Sequence, residues 1–185
     1  MNEDLNPGDI FFTRGTALIS RLIRFFTRRF GEKRTRVNHV GIVVEGGSAD
    51  LAVVVEALRT VRQHRLGTRY RDGRTQVAVF RPVNLADQDI ATIVGAAQSY
   101  VGRRYGYIKI VAHGLDWVLQ GAYVFRRLTR NDNYPICSWL VAHAYAKAGK
   151  DFGVEPGAAS PDDIWDFAAA NPDKYVQVRP LGILD

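Results

Sequence analysis

The spacing of apolar residues along the chain changes repeatedly between the two-residue period of strands and the longer period of helices. Short apolar or alternating runs bounded by turn residues predict strands at residues 10–12, 37–45, 51–58, 76–81 and 175–178. Amphipathic runs predict helices at residues 17–30, 87–101, 108–119, 137–147 and 161–170. Residues 59–74 are polar and irregular, which favours a loop. Strands interleaved with helices, including one hairpin, indicate an α+β fold.

Turn and capping residues mark the ends of the last two predicted helices. Pro135 closes a polar turn just before Cys137, and Gly149 is suited to end the helix that follows. Ser160 is a suitable N-cap, with Pro161 at the first helical position after it. These signals place Cys137 at the N-terminus of a helix.

Length and composition indicate a single domain over residues 1–185. The chain is 46% hydrophobic and 24% charged, which is typical of globular proteins and excludes a disordered or fibrous chain. Residues 1–7 are acidic and polar, unlike a signal peptide. No run approaches the roughly eighteen apolar residues of a membrane-spanning helix. We therefore expect a soluble, cytoplasmic protein.

The net charge of +6 indicates either a solvated basic face or an anionic partner, such as lipid headgroups, nucleic acid or a cell-wall polymer. No nucleic-acid-binding motif accompanies the charge, so no specific nucleic acid is expected. The predicted helix at 17–30 is amphipathic and carries arginines off its apolar stripe. Such a helix either lies on an anionic membrane or packs into the core with a charged outer face, and the sequence leaves both open.

The only cysteine, Cys137, is the first candidate for chemistry. A single cysteine excludes an intrachain disulfide and a Cys-pair zinc site, and no HExxH motif is present, so we expect no metal and no cofactor. Backbone N–H groups at a helix N-terminus favour a thiolate, which is the nucleophilic form of cysteine. The apolar neighbours Ile136, Trp139 and Leu140 favour the alternative, a small buried side chain.

A base for this cysteine is sought among four histidines. His143 lies six residues along the same helix and points elsewhere. His113 lies on a predicted helix without polar neighbours, and His64 lies in an arginine-rich loop, so both are expected to face solvent or to be satisfied locally. His39 lies in a predicted strand of the hairpin. A turn centred on residues 47 and 48 pairs His39 directly with Glu56, both on one face of the hairpin. A carboxylate on one ring nitrogen leaves the other free to act as a base, although the two side chains could equally satisfy only each other.

The other face of the same hairpin is apolar. The pairing that joins His39 to Glu56 predicts a core-facing set of alternating residues. They are Val40, Ile42, Val44, Leu51, Val53 and Val55.

Several short motifs together resemble the NlpC/P60 superfamily of papain-like cysteine peptidases and amidases. They are Leu5-x-Pro7-Gly8-Asp9-Ile10-Phe11-Phe12, Asn38-His39-Val40-Gly41-Ile42-Val43, Val55-Glu56-Ala57, Ile136-Cys137-Ser138-x-Leu140-Val141 and Ser160-Pro161-Asp162-Asp163-Ile164-Trp165. The histidine precedes the cysteine, as in the circularly permuted branch. That branch contains the YiiX-like enzymes and the related lecithin:retinol acyltransferase-type proteins.

The resemblance implies a papain-like α+β fold, with a small antiparallel sheet packed against helices. It implies Cys137 as nucleophile, His39 as general base and acid, and Glu56 as the residue that orients His39. It also places Tyr105 near the cleft, where it would either contact substrate or serve only in packing. Leu51 stands where acyltransferase-type relatives often carry a second histidine, which favours the YiiX-like side.

Three functions stay open at this point. The first is a cysteine amidase or peptidase acting on an amide-bonded substrate, such as a cell-wall peptide or an N-acyl compound. The second is an acyltransferase, thioesterase or lipid amide hydrolase of the same fold that works at a membrane surface. The third is a basic binding module without enzymatic activity.

Overall fold

The computed structural model describes residues 4–15, 36–104 and 136–184. These ranges contain six strands: β1 (Ile10–Arg14), β2 (His39–Glu45), β3 (Val53–Ala57), β4 (Val61–Arg65), β5 (Gln76–Pro82) and β6 (Tyr175–Ile183). They also contain four α-helices: α1 (Leu66–Tyr70), α2 (Asp87–Ser99), α3 (Cys137–Lys147) and α4 (Pro161–Ala170), with a short 3-10 turn at Pro156–Ala158. The helices predicted at 17–30 and 108–119, and Tyr105, lie outside the described residues.

All six strands form one antiparallel sheet in the order β4-β3-β2-β1-β5-β6. Strand β1 lies inside the sheet, and its Phe12 pairs with Val40 on one side and Ala78 on the other. The predicted α+β class is confirmed.

Side chains on both faces of the sheet are buried. Ile10 and Phe12 point into a large apolar cluster that includes residues of α2, α3 and α4. Phe11 points to the opposite face, into a smaller cluster that includes Leu66 and Tyr70 of α1. A strand covered on both faces needs apolar residues at consecutive positions, which explains the uninterrupted run at the start of β1.

The hairpin of β2 and β3 forms as predicted, but its register was predicted wrongly. Ile42 pairs with Val55 and Val43 with Val54, and the ladder shifts between Val43 and Glu45. The turn is therefore longer than predicted, and Glu56 lies two residues from the position directly opposite His39. A shift of two residues keeps every side chain on its predicted face, because side chains alternate with a period of two. Leu51, predicted in the core, is 59% exposed because it lies in this turn.

Residues 59–74 were predicted as a loop and instead contain β4 and α1. Strand β4 is an edge strand in which only Val61 is buried, so it lacks an apolar alternation. Strand β6, at the other edge, continues to Ile183 through Pro180. An edge strand tolerates proline because one side of its backbone has no neighbouring strand.

The helices after the second gap follow their sequence signals closely. Gly149 has a φ of 68°, a left-handed conformation suited to glycine just after α3. At the start of α4, the Ser160 hydroxyl accepts from the Asp163 N–H, and the Asp163 carboxylate accepts from the Ser160 N–H. This reciprocal cap fixes where α4 begins.

In the three described ranges, no helix combines the length and the apolar character that crossing a membrane requires.

Candidate active site

Cys137 is the first residue of α3, which packs against β2. The extended backbone of Ile136 precedes it, so the chain turns into the helix at the sulfur-bearing residue. The thiol is buried, and the backbone N–H groups of Val40 and Ser138 hydrogen-bond to its sulfur. One donor comes from the strand and the other from the helix, so the sulfur lies where the two elements meet.

His39 is the first residue of β2, and its ring hydrogen-bonds both Cys137 and Glu56. The Nε2 atom contacts Oε2 of Glu56. Because Nε2 is occupied, Nδ1 is the ring nitrogen left for the sulfur. The structure therefore brings together the three residues that the sequence singled out. Their order of contact is sulfur, imidazole and carboxylate.

The backbone around His39 is held from several sides. The N–H of Asn38 donates to the carbonyl of Thr13 at 3.0 Å, and the Asn38 side-chain oxygen accepts from the N–H of Gly15 at 2.9 Å. The N–H of Arg36 donates to Asp162 of α4 at 3.0 Å. These contacts join the start of β2 to the end of β1 and to α4, and so fix the imidazole.

Gly41 lies two residues after His39, on the same face of β2. A Cβ atom at this position would lie 2.6 Å from Cζ of Phe11 and 2.8 Å from the carbonyl oxygen of Val55. Both distances are well below van der Waals contact, so only glycine fits. The ring of Phe11 thereby reaches the sheet surface, where it makes an edge contact with the His39 ring at 6.5 Å between centroids.

Glu56 is fully buried in β3, and both of its oxygens have partners. The Tyr70 hydroxyl donates to Oε2 at 2.5 Å, in addition to the contact of His39 with that oxygen. Nε2 of His64 lies 2.6 Å from Oε1, and Nε of Arg69 lies 3.7 Å from the same oxygen. Hydrogen-bond donors and a nearby cation therefore surround this buried carboxylate.

Sequence reasoning missed His64, Arg69 and Tyr70. The signal for His64 was its place in β4, where Val54 pairs with His64 and Glu56 with Arg62. Recognising β4 as a strand would have put His64 on the same face as Glu56. The signal for Tyr70 and Arg69 is weaker, because a five-residue helix has too few positions to show a period.

The charges of this cluster depend on one another. Burial alone would raise the pKa of Glu56. The charge of His39 and the hydrogen bonds from His39, His64 and Tyr70 lower it by more, so the net pKa lies well below its usual range. Burial lowers the pKa of His39, but the charges on Cys137 and Glu56 raise it more, so the net shift is upward. Burial raises the pKa of the Cys137 thiol, but His39 and the hydrogen bonds to the sulfur lower it below its ordinary value. The arrangement favours a thiolate beside an imidazolium, backed by a carboxylate.

The sequence over residues 4–114 matches the family of permuted papain-like amidase enzymes described as YaeF/YiiX, C92 family. This match covers more than half of the chain. The chain belongs to the C92 family. It is therefore a hydrolase of the cysteine peptidase and amidase class, and the resemblance to the circularly permuted papain-like branch is confirmed. The alternative of a binding module without activity is wrong, because the C92 family consists of enzymes. The matched residues include His39 and Glu56 and end before Cys137.

A solved structure supports the fold over nearly the whole chain. It is a crystal structure of "metalloprotein yiiX from Escherichia coli O157:H7", similar to this chain with a TM-score of 0.54 and 16% sequence identity. The similarity covers 96% of this chain and 88% of the other. It confirms the papain-like YiiX fold. No curated protein matches the sequence.

The described residues do not fit a metal site. Among residues 4–15, 36–104 and 136–184, no three His, Cys, Asp or Glu side chains are grouped so that they could hold a metal ion. Glu56, His39 and His64 lie together, but the Nε2 atom of each ring is hydrogen-bonded to an oxygen of Glu56.

Proposed function

We propose that this C92 enzyme hydrolyses an amide bond with Cys137 as nucleophile, His39 as general acid and base, and Glu56 as the residue that orients His39. The continuous contact from sulfur to imidazole to carboxylate is the observation that carries the proposal. Nucleophile, base and orienting group stand in the order that thiol catalysis requires.

The first half of the reaction forms a thioester. The Cys137 thiolate attacks the amide carbonyl carbon, and a backbone N–H at the start of α3 stabilises the negative charge that develops on the carbonyl oxygen. The C–N bond then breaks, and His39 donates its proton to the leaving amine. The acyl group is left on sulfur, and His39 is left neutral.

The second half releases the acyl group. Neutral His39 takes a proton from water as the water oxygen attacks the thioester carbon. The C–S bond breaks, a carboxylic acid leaves, and the thiolate–imidazolium pair is restored. Glu56 keeps the His39 ring in one orientation throughout, because Nε2 stays on Oε2 while Nδ1 exchanges its proton with substrate and water.

The family description as an amidase and the charge of the chain support a proposed substrate class. An amide-bonded compound such as a cell-wall peptide or an N-acyl compound fits the chemistry of the site. The net charge of +6 favours substrates with anionic groups or substrates presented on an anionic surface. The membrane-surface alternative depended on the helix predicted at 17–30, which lies outside the described residues.

A substrate panel tests the proposal. Peptidoglycan peptides, N-acyl amino compounds and their matched esters are incubated with the wild type, Cys137→Ala and Cys137→Ser. We expect amide turnover by the wild type alone, with both variants folded and inactive. Serine is the informative control, because its hydroxyl has the nearly matching shape but is not ionised by His39. Turnover of amides by Cys137→Ala would refute the nucleophile assignment.

Trapping the intermediate gives a second test. The chain has one cysteine, so mass spectrometry of an acid-quenched reaction should show the acyl mass of the substrate on the peptide that contains Cys137. If the enzyme consumes esters only when an acyl acceptor is added, the reaction is instead acyl transfer.

A further inference from the structure

Both ring nitrogens of His64 face oxygen acceptors. Nδ1 lies 2.9 Å from the carbonyl oxygen of Arg65, and Nε2 lies 2.6 Å from Oε1 of Glu56. A carbonyl oxygen carries no proton, and neither does an ionised carboxylate. A neutral imidazole has one N–H and would leave a lone pair facing one of these oxygens, whereas an imidazolium has two N–H groups and satisfies both. The geometry therefore selects the protonated form of His64.

The Glu56 carboxylate is consequently shared between two imidazole rings, with His39 on Oε2 and His64 on Oε1. Within the described ranges, the Tyr70 hydroxyl and the more distant guanidinium of Arg69, both from α1, also face this carboxylate, and the exposed Arg62 of β4 is paired with Glu56 on the same face of the sheet. Cys137 faces the far side of His39. His64 itself is half-buried, with a side chain 20% exposed, so it can exchange protons with solvent while Glu56 cannot.

We propose that His64 is a positioning residue of this enzyme, an imidazolium that anchors Oε1 of Glu56 so that Oε2 stays aligned with His39. The proposal rests on the proposed function, since it assigns His64 a role through Glu56 and His39. In agreement with the geometry, the hydrogen bond to Glu56 raises the pKa of His64 above its ordinary value, although partial burial opposes the shift.

This sharing has a consequence for the pH dependence of the reaction. The positive charge of His64 disfavours a second positive charge on His39, because both rings draw on one carboxylate. Removing the charge of His64 leaves the full carboxylate charge to His39 and raises the pKa of His39. If His64 keeps its proton until His39 titrates, the alkaline limb of activity, where His39 loses its proton, moves to higher pH.

Two variants separate this role from a structural one. His64→Gln keeps an N–H donor within reach of Oε1 and does not titrate. Arg65→Gln removes a positive charge from the adjacent exposed position, whose side chain is on the opposite face of β4, and keeps the backbone carbonyl. We expect the alkaline limb of kcat/KM to move to higher pH in His64→Gln and to stay in place in Arg65→Gln. His64→Ala, which removes the donor, should lower kcat/KM by about tenfold. An unmoved alkaline limb in His64→Gln together with wild-type kcat/KM in His64→Ala would overturn the proposal.

A spectroscopic measurement tests His64 without relying on activity. The chain has four histidines, so ring nitrogen resonances can be assigned by substitution in NMR spectra of the Cys137→Ala variant. We expect His64 to show two protonated nitrogens at neutral pH in this inactive protein and to keep them above the pH at which a free histidine deprotonates. A neutral His64 at pH 7 refutes the proposal. Amide turnover by Cys137→Ala would instead refute the proposed function while leaving the protonation of His64 measurable.

Discussion

The Tyr70 hydroxyl donates a buried 2.5 Å hydrogen bond to Oε2 of Glu56, the same oxygen that contacts His39. The short helix α1 thereby reaches the centre of the site from the face of the sheet opposite α3. Its contribution is positional, because Tyr70 hydrogen-bonds the carboxylate that orients His39.

Replacing Tyr70 by Phe should lower both stability and activity. The loss of a hydrogen bond to a buried charged group costs about 1.5–3 kcal/mol of unfolding free energy. Activity should fall several-fold, because Oε2 loses one of the two donors that hold it. Tyr145→Phe is the matched control, since the Tyr145 hydroxyl donates at 2.5 Å to the neutral carbonyl of Gly8. Tyr145→Phe should lower the free energy of unfolding by about 0.5–1.5 kcal/mol and leave kcat/KM unchanged. Equal activities for the two variants would show that α1 does not position Glu56.

Replacing Glu56 by Gln should weaken catalysis without abolishing it, because the nucleophile and base remain while orientation is lost. It should also destabilise the fold by about 3 kcal/mol, since two imidazolium groups lose a buried counter-charge. Chemical denaturation and steady-state kinetics measure the two effects. Wild-type kcat/KM in the Glu56→Gln variant would leave Glu56 a purely structural residue.

The stability difference between wild type and Glu56→Gln should depend on pH in a defined window. The pKa of Glu56 is depressed in the folded state, so its contribution is complete above its ordinary pKa of 4.5 and is lost as the pH falls through the folded value. The pKa values of His39 and His64 are raised, so their contributions are complete below 6.5 and are lost as the pH rises through the folded values. The difference should therefore be largest between about pH 4.5 and 6.5. Denaturation curves across the pH range would contradict this if the difference were constant.

Replacing His39 by Gln should raise the pKa of Cys137. Burial then remains without the compensating charge of the imidazolium, so the thiol should stay protonated throughout the range below its ordinary pKa of 9.0. Ultraviolet absorbance of the thiolate follows this directly, and the single cysteine makes the signal unambiguous. His143→Gln is the control on helix α3, where His143 stacks on Trp139. It should leave the thiolate at neutral pH, and a loss of thiolate in both variants would count against His39 as the specific partner.

Replacing Gly41 by Ala should destabilise the protein by about 2 kcal/mol or more, because the new methyl group meets the Phe11 ring and a backbone oxygen that cannot move freely. Gly95→Ala is the matched control. Gly95 lies at an exposed position of α2, and nothing lies within 4 Å of the added methyl group. Gly95→Ala should therefore raise the free energy of unfolding by about 0.5–1 kcal/mol. Thermal unfolding of both variants measures the effect. A neutral Gly41→Ala would mean that Phe11 has room to move.

Local signals predicted the elements that carry the sulfur. The turn residues before Cys137 and the apolar pattern after it are signals within a short stretch of sequence, and α3 begins and ends where they predict. The meeting of His39 and Glu56 was also predicted, although the strand register was off by two residues. An even shift changes which residues are directly opposite and preserves which face they share.

The remaining partners of Glu56 depend on contacts between distant elements. Strand β4 is polar at four of its five positions, so its pairing with β3 determines that it is a strand. Helix α1 is too short to form alone and is held by the burial of Leu66 and Tyr70 against the sheet. A short stretch of sequence shows neither the pairing of β4 with β3 nor the packing of α1 on the sheet.

The connection between β1 and β2 is fastened where it leaves the sheet, by Gly15 on Asn38, and where it returns, by Arg36 on Asp162. Because both ends are held by these hydrogen bonds, the position of His39 does not depend on the length of the connection. Residues inserted or deleted between positions 16 and 35 would change how far the chain travels, while its ends would stay at the same two points. Changes of chain length between these two described ends should therefore leave the sulfur and the imidazole aligned.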